Sequence, residues 1–260
     1  MYKLSDIKVI RGNRAILDVP NLSIPTDKFT VILGHNGSGK STMMSLLSGQ
    51  QTPEQGQITL NGQSVSEYKS KELAKAVAFL PQKLPNSAGL TVQELVKLGR
   101  FPWRGALGRW KEEDYQIIDN AMQRTKIDGF ANTLADELSG GERQRAWISM
   151  LLAQQSPLLL LDEPTSALDI QHQYQLMELL FELNHDNQYG VVAILHDLNL
   201  ALRYADHIIA LKQGQIAFAG DAQLLEDEQR LSDLYQTPIK LLDHPQSNSA
   251  QATKVAIVCP

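Results

Sequence analysis

A glycine-rich segment near the start of the chain has the residue types of a phosphate-binding loop. Residues 34–41 read Gly-His-Asn-Gly-Ser-Gly-Lys-Ser and fit the pattern G-x-x-x-x-G-K-[ST]. Glycines let the backbone wrap around phosphate, so that several N–H groups converge on one anion. Lys40 would reach the β- and γ-phosphates, and the Ser41 hydroxyl would ligate Mg²⁺. An ordinary turn that caps a helix would need neither residue. The residues predicted to surround the nucleotide are Gly34, His35, Asn36, Gly37, Ser38, Gly39, Lys40, Ser41 and Thr42.

A second candidate site follows the leucine run 158–161. Asp162 and Glu163 come directly after this run, which has the composition of a buried parallel strand. Because ligands bind at the carboxyl ends of parallel strands, Asp162 is placed to hold Mg²⁺, through water, and Glu163 to polarise the attacking water. Solvated acids at the end of a strand are a common alternative, but the phosphate loop in the same chain favours the catalytic interpretation.

The elements that must position these residues alternate between strand and helix. The pattern predicts a strand over 29–33 that enters the phosphate loop and a helix over 40–48 that leaves it, ended by Gly49. Capping boxes at Thr91 and Ser139 begin helices in the middle of the chain. Further strands are predicted at 3–10, 15–24, 57–60, 76–80, 191–195, 207–211 and 215–219, and further helices at 111–125, 170–184, 198–204 and 222–235. This order predicts one α/β domain interrupted by a mostly helical segment.

The composition limits where the chain can act. Its 260 residues carry a net charge of −5, which disfavours a nucleic-acid binder, although backbone N–H groups can still hold phosphate. The longest aliphatic runs, 158–161 and 191–195, are far shorter than a membrane span, and no signal-peptide pattern follows Met1. The single cysteine, Cys259, allows no internal disulfide. We therefore expect a soluble, cytosolic protein.

The segment 138–144, Leu-Ser-Gly-Gly-Glu-Arg-Gln, identifies a family. Together with the phosphate loop and Asp162-Glu163, it resembles the ATP-binding subunits of ABC transporters. The likeness extends over about residues 1–235. Gln82 resembles the Q-loop residue of that family, the segment from Ser166 to Asp169 its D-loop, and His196 its switch histidine.

The resemblance implies a fold and a mechanism. The fold would be a RecA-like P-loop NTPase core with an antiparallel β subdomain, a helical subdomain inserted at about 87–155 and a tail at 236–260. Two subunits would pair head to tail, with each ATP between the phosphate loop of one and Ser139, Gly140 and Gly141 of the other. Gln82 would sense Mg²⁺ and relay to the membrane partner, His196 would contact the γ-phosphate, and Asp169 would lie near the nucleotide. Taken alone, Ser139–Glu142 is a capped helix start, His196 a histidine at a strand end and Gln82 a polar residue after a strand.

One position departs from the family pattern. The family stacks an aromatic ring on adenine 23 residues before the first loop glycine, and that position here is Arg11. An arginine plane can also stack on a base. Two alternatives are open: Arg11 stacks on adenine, or it is solvated and other groups hold the base.

The lack of a predicted span implies a separate membrane permease. The segments 99–109, 141–148 and 167–173 resemble the ATPase of ferric hydroxamate siderophore importers, which are served indirectly by a siderophore-binding protein. The head-to-tail homodimer of this chain would act at the cytoplasmic face of the inner membrane. The permease would dock near Gln82 and the segment from Phe101 to Trp103. The alternatives are an ATPase for another iron chelate, haem or cobalamin, a non-transport ABC ATPase, and a nucleotide-binding module without turnover.

Overall fold

The structure, a computed structural model, describes residues 1–87, 89–104, 108–166, 168–186, 189–244 and 254–259. Its strands, in chain order, are β1 (Tyr2–Arg11), β2 (Arg14–Ile24), β3 (Phe29–Leu33), β4 (Gln55–Leu60), β5 (Gln63–Ser64), β6 (Val77–Leu80), β7 (Leu158–Leu161), β8 (Gly190–Ile194), β9 (His207–Lys212), β10 (Gln215–Asp221), β11 (Ile239–Asp243) and β12 (Lys254–Val258).

The α-helices are α1 (Lys40–Leu47), α2 (Ser70–Ala76), α3 (Val92–Leu98), α4 (Phe101–Arg104), α5 (Glu112–Arg124), α6 (Gly140–Gln154), α7 (Ile170–His185), α8 (Leu198–Tyr204) and α9 (Glu228–Tyr235). The chain forms two compact units, one of residues 1–67 and 190–260 and the other of residues 68–189. None of the described helices is both long and apolar enough to span a membrane.

The first unit contains an antiparallel sheet and a group of parallel strands. The antiparallel sheet has the order β2-β1-β4-β5, and alternate residues of β1 are buried on one face. In the parallel group, β3 lies between β8 and β9, with β10 antiparallel on the far side of β9. Every residue of β3 and β8 is buried, as expected of strands covered on both faces. The carboxyl end of β3 leads directly into the phosphate loop.

The second unit contains two parallel strands and a cluster of helices. β6 pairs with β7 in register from Val77↔Leu158 to Leu80↔Leu161. Helices α3 and α5 pack against α6, which contributes a largely buried face. Gly99 ends α3 where a β-carbon would lie 2.2 Å from the Met150 carbonyl oxygen, so only glycine permits this close approach of the helices. Both predicted capping boxes, at Thr91 and Ser139, are confirmed.

The prediction of one helix over 222–235 is wrong. A short 3-10 helix, Ala222–Glu226, comes first, and Asp227 then caps α9 by accepting a hydrogen bond from the Arg230 N–H at 3.0 Å. The Asp227 carboxylate competes for backbone donors that a continuous helix would use, which is why the chain breaks there. The expected tail at 236–260 contains the antiparallel pair β11–β12, whereas its residues 245–253 lie outside the described residues.

Candidate functional site

The phosphate loop is a closed turn with Lys40 held inside it. Lys40 is buried, and its Nζ donates to the carbonyl oxygens of Gly34, at 2.8 Å, and His35, at 3.0 Å. Gly34, Gly37 and Gly39 all have positive φ, at 144°, 77° and 102°. These backbone conformations are costly for other residues, so the glycine spacing is required by the shape of the loop. Glycines and lysine together therefore form a tight turn that encloses a cationic side chain.

Neighbouring strands pack closely against one side of this loop. A β-carbon at Gly34 would lie 2.2 Å from the Leu211 carbonyl oxygen, and one at Gly39 would lie 2.9 Å from that of Ile16. The Gly214 N–H donates to the Ser38 carbonyl oxygen at 3.0 Å. The turn between β9 and β10 thus holds the loop against β2. By contrast, Gly37 faces open space, with no described heavy atom within 4 Å of a β-carbon placed there.

The side chain of His35 makes a contact that the sequence did not indicate. Its ring lies edge-on to the ring of Tyr235, with centroids 5.7 Å apart and planes at 65°. No motif pointed to Tyr235, because it lies 200 residues further along the chain. Ser41, His35 and Asn36 are exposed and Thr42 is half-buried, so the mouth of the loop is open to a ligand.

In the second unit, Gln82 and Glu163 lie together as a hydrogen-bonded pair. The Gln82 Nε2 donates to the Glu163 Oε2 at 2.5 Å. The cause is register: Leu80 pairs with Leu161, and each functional residue lies two positions beyond that pair. The Asp162 N–H donates to the Leu80 carbonyl oxygen at 2.9 Å and extends the pairing by one step. Asp162 is buried, with 6% of its surface exposed, and Glu163 has a positive φ of 53°.

His196 lies at the same strand edge of the first unit as the phosphate loop. His196 lies two residues after Ile194, as Gly34 lies two residues after Ile32, and Ile194 pairs with Ile32 in parallel register. The Leu195 N–H donates to the Ile32 carbonyl oxygen at 3.3 Å. Directly after His196, the Asp197 carboxylate caps α8. The exposed histidine is therefore fixed between a strand end and a helix start.

The segment 139–142 is a helix N-terminus with a complete capping box. The Ser139 hydroxyl and N–H donate to the Glu142 carboxylate at 2.6 and 2.9 Å, and these bonds lower the pKa of Glu142. Ser139 and Gly140 are exposed. A β-carbon at Gly141 would meet only ordinary contacts, the nearest at 3.6 Å to Leu168. Because the hydroxyl is engaged with Glu142, anion binding here depends on the backbone N–H groups of the first turn.

Asp169 caps α7 by accepting from the His172 N–H at 2.9 Å, and it contacts His172 Nδ1 at 2.7 Å. The hydrogen bonds from His172 lower the pKa of Asp169. Ala167, within the predicted D-loop, lies outside the described residues. Arg11 is exposed at the end of β1, opposite Arg14.

The segment predicted to dock the permease forms α4, with Phe101 46% and Trp103 43% exposed. A buried ion pair fixes its base. The Arg100 Nε donates to Asp114 Oδ1 at 3.0 Å, and Trp103 Nε1 donates to the Gln154 carbonyl oxygen at 2.6 Å. Residues 105–107 of the resembling segment lie outside the described residues.

Within the described residues, no three His, Cys, Asp or Glu side chains cluster as a metal site. The predicted ligands Ser41, Gln82 and Asp162 instead offer hydroxyl, amide and carboxylate oxygens, the hard donors that Mg²⁺ takes alongside phosphate. Their chemistry therefore fits magnesium held largely by a bound nucleotide.

Comparison with known sequences identifies the family of the chain. The family model described as "ABC transporter" matches residues 17–166. The chain is 43% identical over 234 residues to the ferric enterobactin transport ATP-binding protein FepC of Escherichia coli K12, which covers 90% of this chain and 86% of FepC. It is 40% identical over 237 residues to the iron(3+)-hydroxamate import ATP-binding protein FhuC of Bacillus subtilis 168, which covers 91% of this chain and 88% of FhuC.

Solved structures confirm the expected P-loop NTPase fold. The dimeric structure of MJ0796, a bacterial ABC transporter cassette, matches with a TM-score of 0.76 at 31% identity, over 85% of this chain and 99% of that one. The ADP conformation of MJ1267, an ATP-binding cassette of an ABC transporter, matches with a TM-score of 0.78 over 91% and 98% of the two chains. At 22% identity, this second likeness concerns the fold alone.

Proposed function

Because the chain belongs to the ABC transporter family, we propose that it is the ATP-hydrolysing subunit that powers import of an iron chelate through a separate membrane permease. The observation that carries the proposal is the phosphate loop, in which Lys40 is held by the carbonyl oxygens of Gly34 and His35. The same chain supplies the Gln82–Glu163 pair. One sequence thus contains both a triphosphate cradle and a carboxylate oriented for hydrolysis.

Nucleotide binding is assigned to the loop and to the start of α1. The N–H groups of residues 34–42 surround the β-phosphate, and Lys40 turns from the loop carbonyls to the β- and γ-phosphates. Bound Mg²⁺ would neutralise charge on those phosphates. Ser41 and Asp162 are proposed to hold it. Since Nε2 of Gln82 donates to Glu163, the Gln82 Oε1 is the amide atom that would serve as a ligand.

Hydrolysis is assigned to Glu163 and His196. Glu163, held in place by Gln82, accepts a hydrogen bond from the attacking water and polarises it. His196 stabilises the γ-phosphate. The hydrogen bond at 2.5 Å supports this role, because a general base must be oriented before its strength matters.

The active form is proposed to be a head-to-tail homodimer. The helix N-terminus at Ser139, Gly140 and Gly141 would meet the nucleotide bound by the partner's loop, with Asp169 nearby. The exposure of Ser139 and Gly140 supports such a contact. The dimeric MJ0796 cassette, at 31% identity, provides a precedent.

The transported substrate is proposed to be a ferric siderophore, delivered to the permease by a siderophore-binding protein. The resemblance of the helical segment favours a ferric hydroxamate. The enterobactin-related FepC, at 43% identity, favours a ferric catecholate instead. The subunit would lie at the cytoplasmic face of the inner membrane, with the helical subdomain at 87–155 facing the permease and no role for nucleic acid.

Glu163→Gln tests the composite mechanism. The variant carries an amide in place of the carboxylate. This amide can still pair with Gln82 but cannot act as a base, so hydrolysis should fall about 10²- to 10⁴-fold. With saturating Mg·ATP it should accumulate as a dimer, measured by light scattering, whereas Lys40→Ala should stay monomeric. A monomeric Glu163→Gln variant with ATP bound would contradict the head-to-tail mechanism.

Transport in cells tests the substrate. Cells with the intact chain should take up a subset of a panel of ferric hydroxamates, ferric catecholates and cobalamin, and cells with Lys40→Ala should lose that uptake. Retention of uptake in the Lys40→Ala cells would exclude this chain as the motor. The class that the intact chain supports decides between hydroxamate and catecholate.

A further inference from the structure

The C-terminal part of the first unit reaches the phosphate loop through one aromatic side chain. Tyr235, the last residue of α9, lies edge-on to His35 with ring centroids 5.7 Å apart. Such edge-to-face pairs are favourable beyond their buried area. The carbonyl oxygen of His35 is one of the two that hold Lys40. The Tyr235 ring therefore restrains a residue on which the position of the loop lysine depends.

Tyr235 also lies within electrostatic range of the segment that carries His196. Burial raises the pKa of Tyr235 to about 12, and the negative charge of Asp197 adds to this effect. Asp197 is the residue directly after His196. In the described part of the chain, the buried hydroxyl of Tyr235 has no hydrogen-bond partner. A phenylalanine would avoid that cost, so the ring, rather than the hydroxyl, accounts for the contact with the loop.

The end of the chain fixes α9 in this position. The Leu241 N–H of β11 donates to Glu228 Oε1 at 2.8 Å, and the Ile239 N–H donates to the Ser232 hydroxyl at 3.0 Å. On the other side, Lys212 Nζ donates to the Asp233 carbonyl oxygen at 2.6 Å. These bonds hold α9 at both of its ends, so Tyr235 is presented to the loop by an anchored helix.

Strand β12 is bonded to α8, the helix that follows His196. The Ala256 N–H donates to Asn199 Oδ1 at 2.8 Å, and Asn199 Nδ2 donates to the Ala256 carbonyl oxygen at 3.3 Å. The Asn199 N–H donates to the Asp197 carboxylate at 2.7 Å. Helix α8 has only 7 residues, too few to be stable alone. β12 therefore stabilises the cap that ends the His196 segment.

We propose that α9, β11 and β12 together are a brace for the nucleotide site. Tyr235 of α9 positions the phosphate loop through His35, and Asn199 of α8, held by β12, positions the segment that carries His196. Both are positioning residues, since neither belongs to the groups assigned to contact ATP. The inference deepens the proposed ATP hydrolysis and rests on it, and it gives β11 and β12 a role in that reaction.

The test compares Tyr235→Leu, Tyr235→Phe and Asn199→Ala in the full chain. Leucine keeps an apolar side chain at this position but removes the aromatic ring, so the fold should survive, as checked by melting temperature. The Kd for Mg·ATP should rise about 3- to 10-fold in Tyr235→Leu, the ratio expected for one aromatic pair, and KM should rise with it. Tyr235→Phe should bind within about twofold of wild type, since it retains the ring.

Asn199→Ala should separate the two functions of the brace. We expect kcat to fall about fivefold, the effect of roughly one lost hydrogen bond, with the Kd for Mg·ATP unchanged. Tyr115→Ala, which removes a part-exposed tyrosine from α5, is the matched control and should leave both constants unchanged. Loss of binding in Tyr235→Phe equal to that in Tyr235→Leu would overturn the role of the ring.

Unchanged binding in Tyr235→Leu, or unchanged kcat in Asn199→Ala, would overturn the corresponding half of the brace. Failure of the proposed function gives a different result. In that case the wild-type chain itself would show no more ATP binding or hydrolysis than Lys40→Ala. The brace is judged only against a wild type that binds and hydrolyses ATP.

Discussion

Two glycines of the phosphate loop should respond differently to alanine. Gly34→Ala should mainly lose stability, and Gly37→Ala should mainly lose nucleotide binding. At Gly34, φ is 144°, and a β-carbon would lie 2.2 Å from the Leu211 carbonyl oxygen and 2.7 Å from the Ser38 hydroxyl. At Gly37, φ is 77° and no described heavy atom lies within 4 Å of the added carbon. The first substitution disturbs the protein itself, whereas the second fills only the open mouth of the loop.

The expected magnitudes follow from these surroundings. Gly37→Ala should lower the free energy of unfolding by about 1–2 kcal/mol, the cost of a left-handed backbone at alanine. Gly34→Ala adds strain of about 1–3 kcal/mol in a region that only glycine visits, and the loop must also move away from a backbone oxygen. With overpacking of about 1–3 kcal/mol, the sum for Gly34→Ala is about 2–6 kcal/mol.

Urea unfolding of the ligand-free chain measures the stability difference, and calorimetric titration with Mg·ATP measures binding. Gly37→Ala should lose only about 1–2 kcal/mol of stability yet lose at least about 100-fold in affinity, because its methyl group blocks close approach of phosphate to the N–H groups. Should Gly37→Ala bind Mg·ATP within about threefold of wild type, or should Gly34→Ala be the more stable variant, the cradle interpretation would be refuted.

Three further results are expected. Burial raises the pKa of Asp114, but hydrogen bonds from Arg100 and from the Lys111 N–H outweigh it and lower the pKa below its ordinary value. The stability that this carboxylate contributes is therefore present at neutral pH and lost as pH falls below about 4. At neutral pH, Asp114→Asn should unfold with a free energy about 3–5 kcal/mol lower than wild type, measured by urea unfolding, and this difference should shrink below about pH 4. If Arg11 stacks on adenine, Arg11→Ala should weaken ATP binding about 3- to 10-fold and Arg11→Tyr should restore it, whereas unchanged affinity in both would leave Arg11 solvated. Phe101→Ala should leave the basal ATPase rate unchanged but reduce its stimulation by the permease, and equal stimulation would remove Phe101 from the docking surface.

The residues around each motif could be predicted because local sequence decides their structure. A β-rich apolar run followed by glycines and a helical pattern predicts the strand, loop and helix at 29–48, and the structure has β3 and α1 there. The capping boxes at Thr91 and Ser139 also depend on residues only three positions apart. In each case the interacting groups are neighbours in the chain, so their spacing is visible in the sequence.

Contacts between distant segments could not be predicted in the same way. The Gln82–Glu163 bond depends on β6 pairing with β7 in one register, across 81 positions of sequence. The His35–Tyr235 contact depends on where α9 ends, and the continuous helix predicted over 222–235 missed the cap at Asp227. Strand β12 was missed because its partner β11 and its anchor Asn199 are both remote from it.

The glycines of the two candidate phosphate sites are required for different reasons. Gly34 and Gly39 are required by the chain itself, because β-carbons there would strike the carbonyl oxygens of Leu211 and Ile16. Gly141 has no such constraint, since the nearest contact of a β-carbon would be an ordinary 3.6 Å to Leu168. Nothing within the described chain demands glycine at that exposed helix start. A ligand that approaches the backbone from outside would demand it, and the nucleotide of a partner subunit in the proposed head-to-tail dimer is such a ligand.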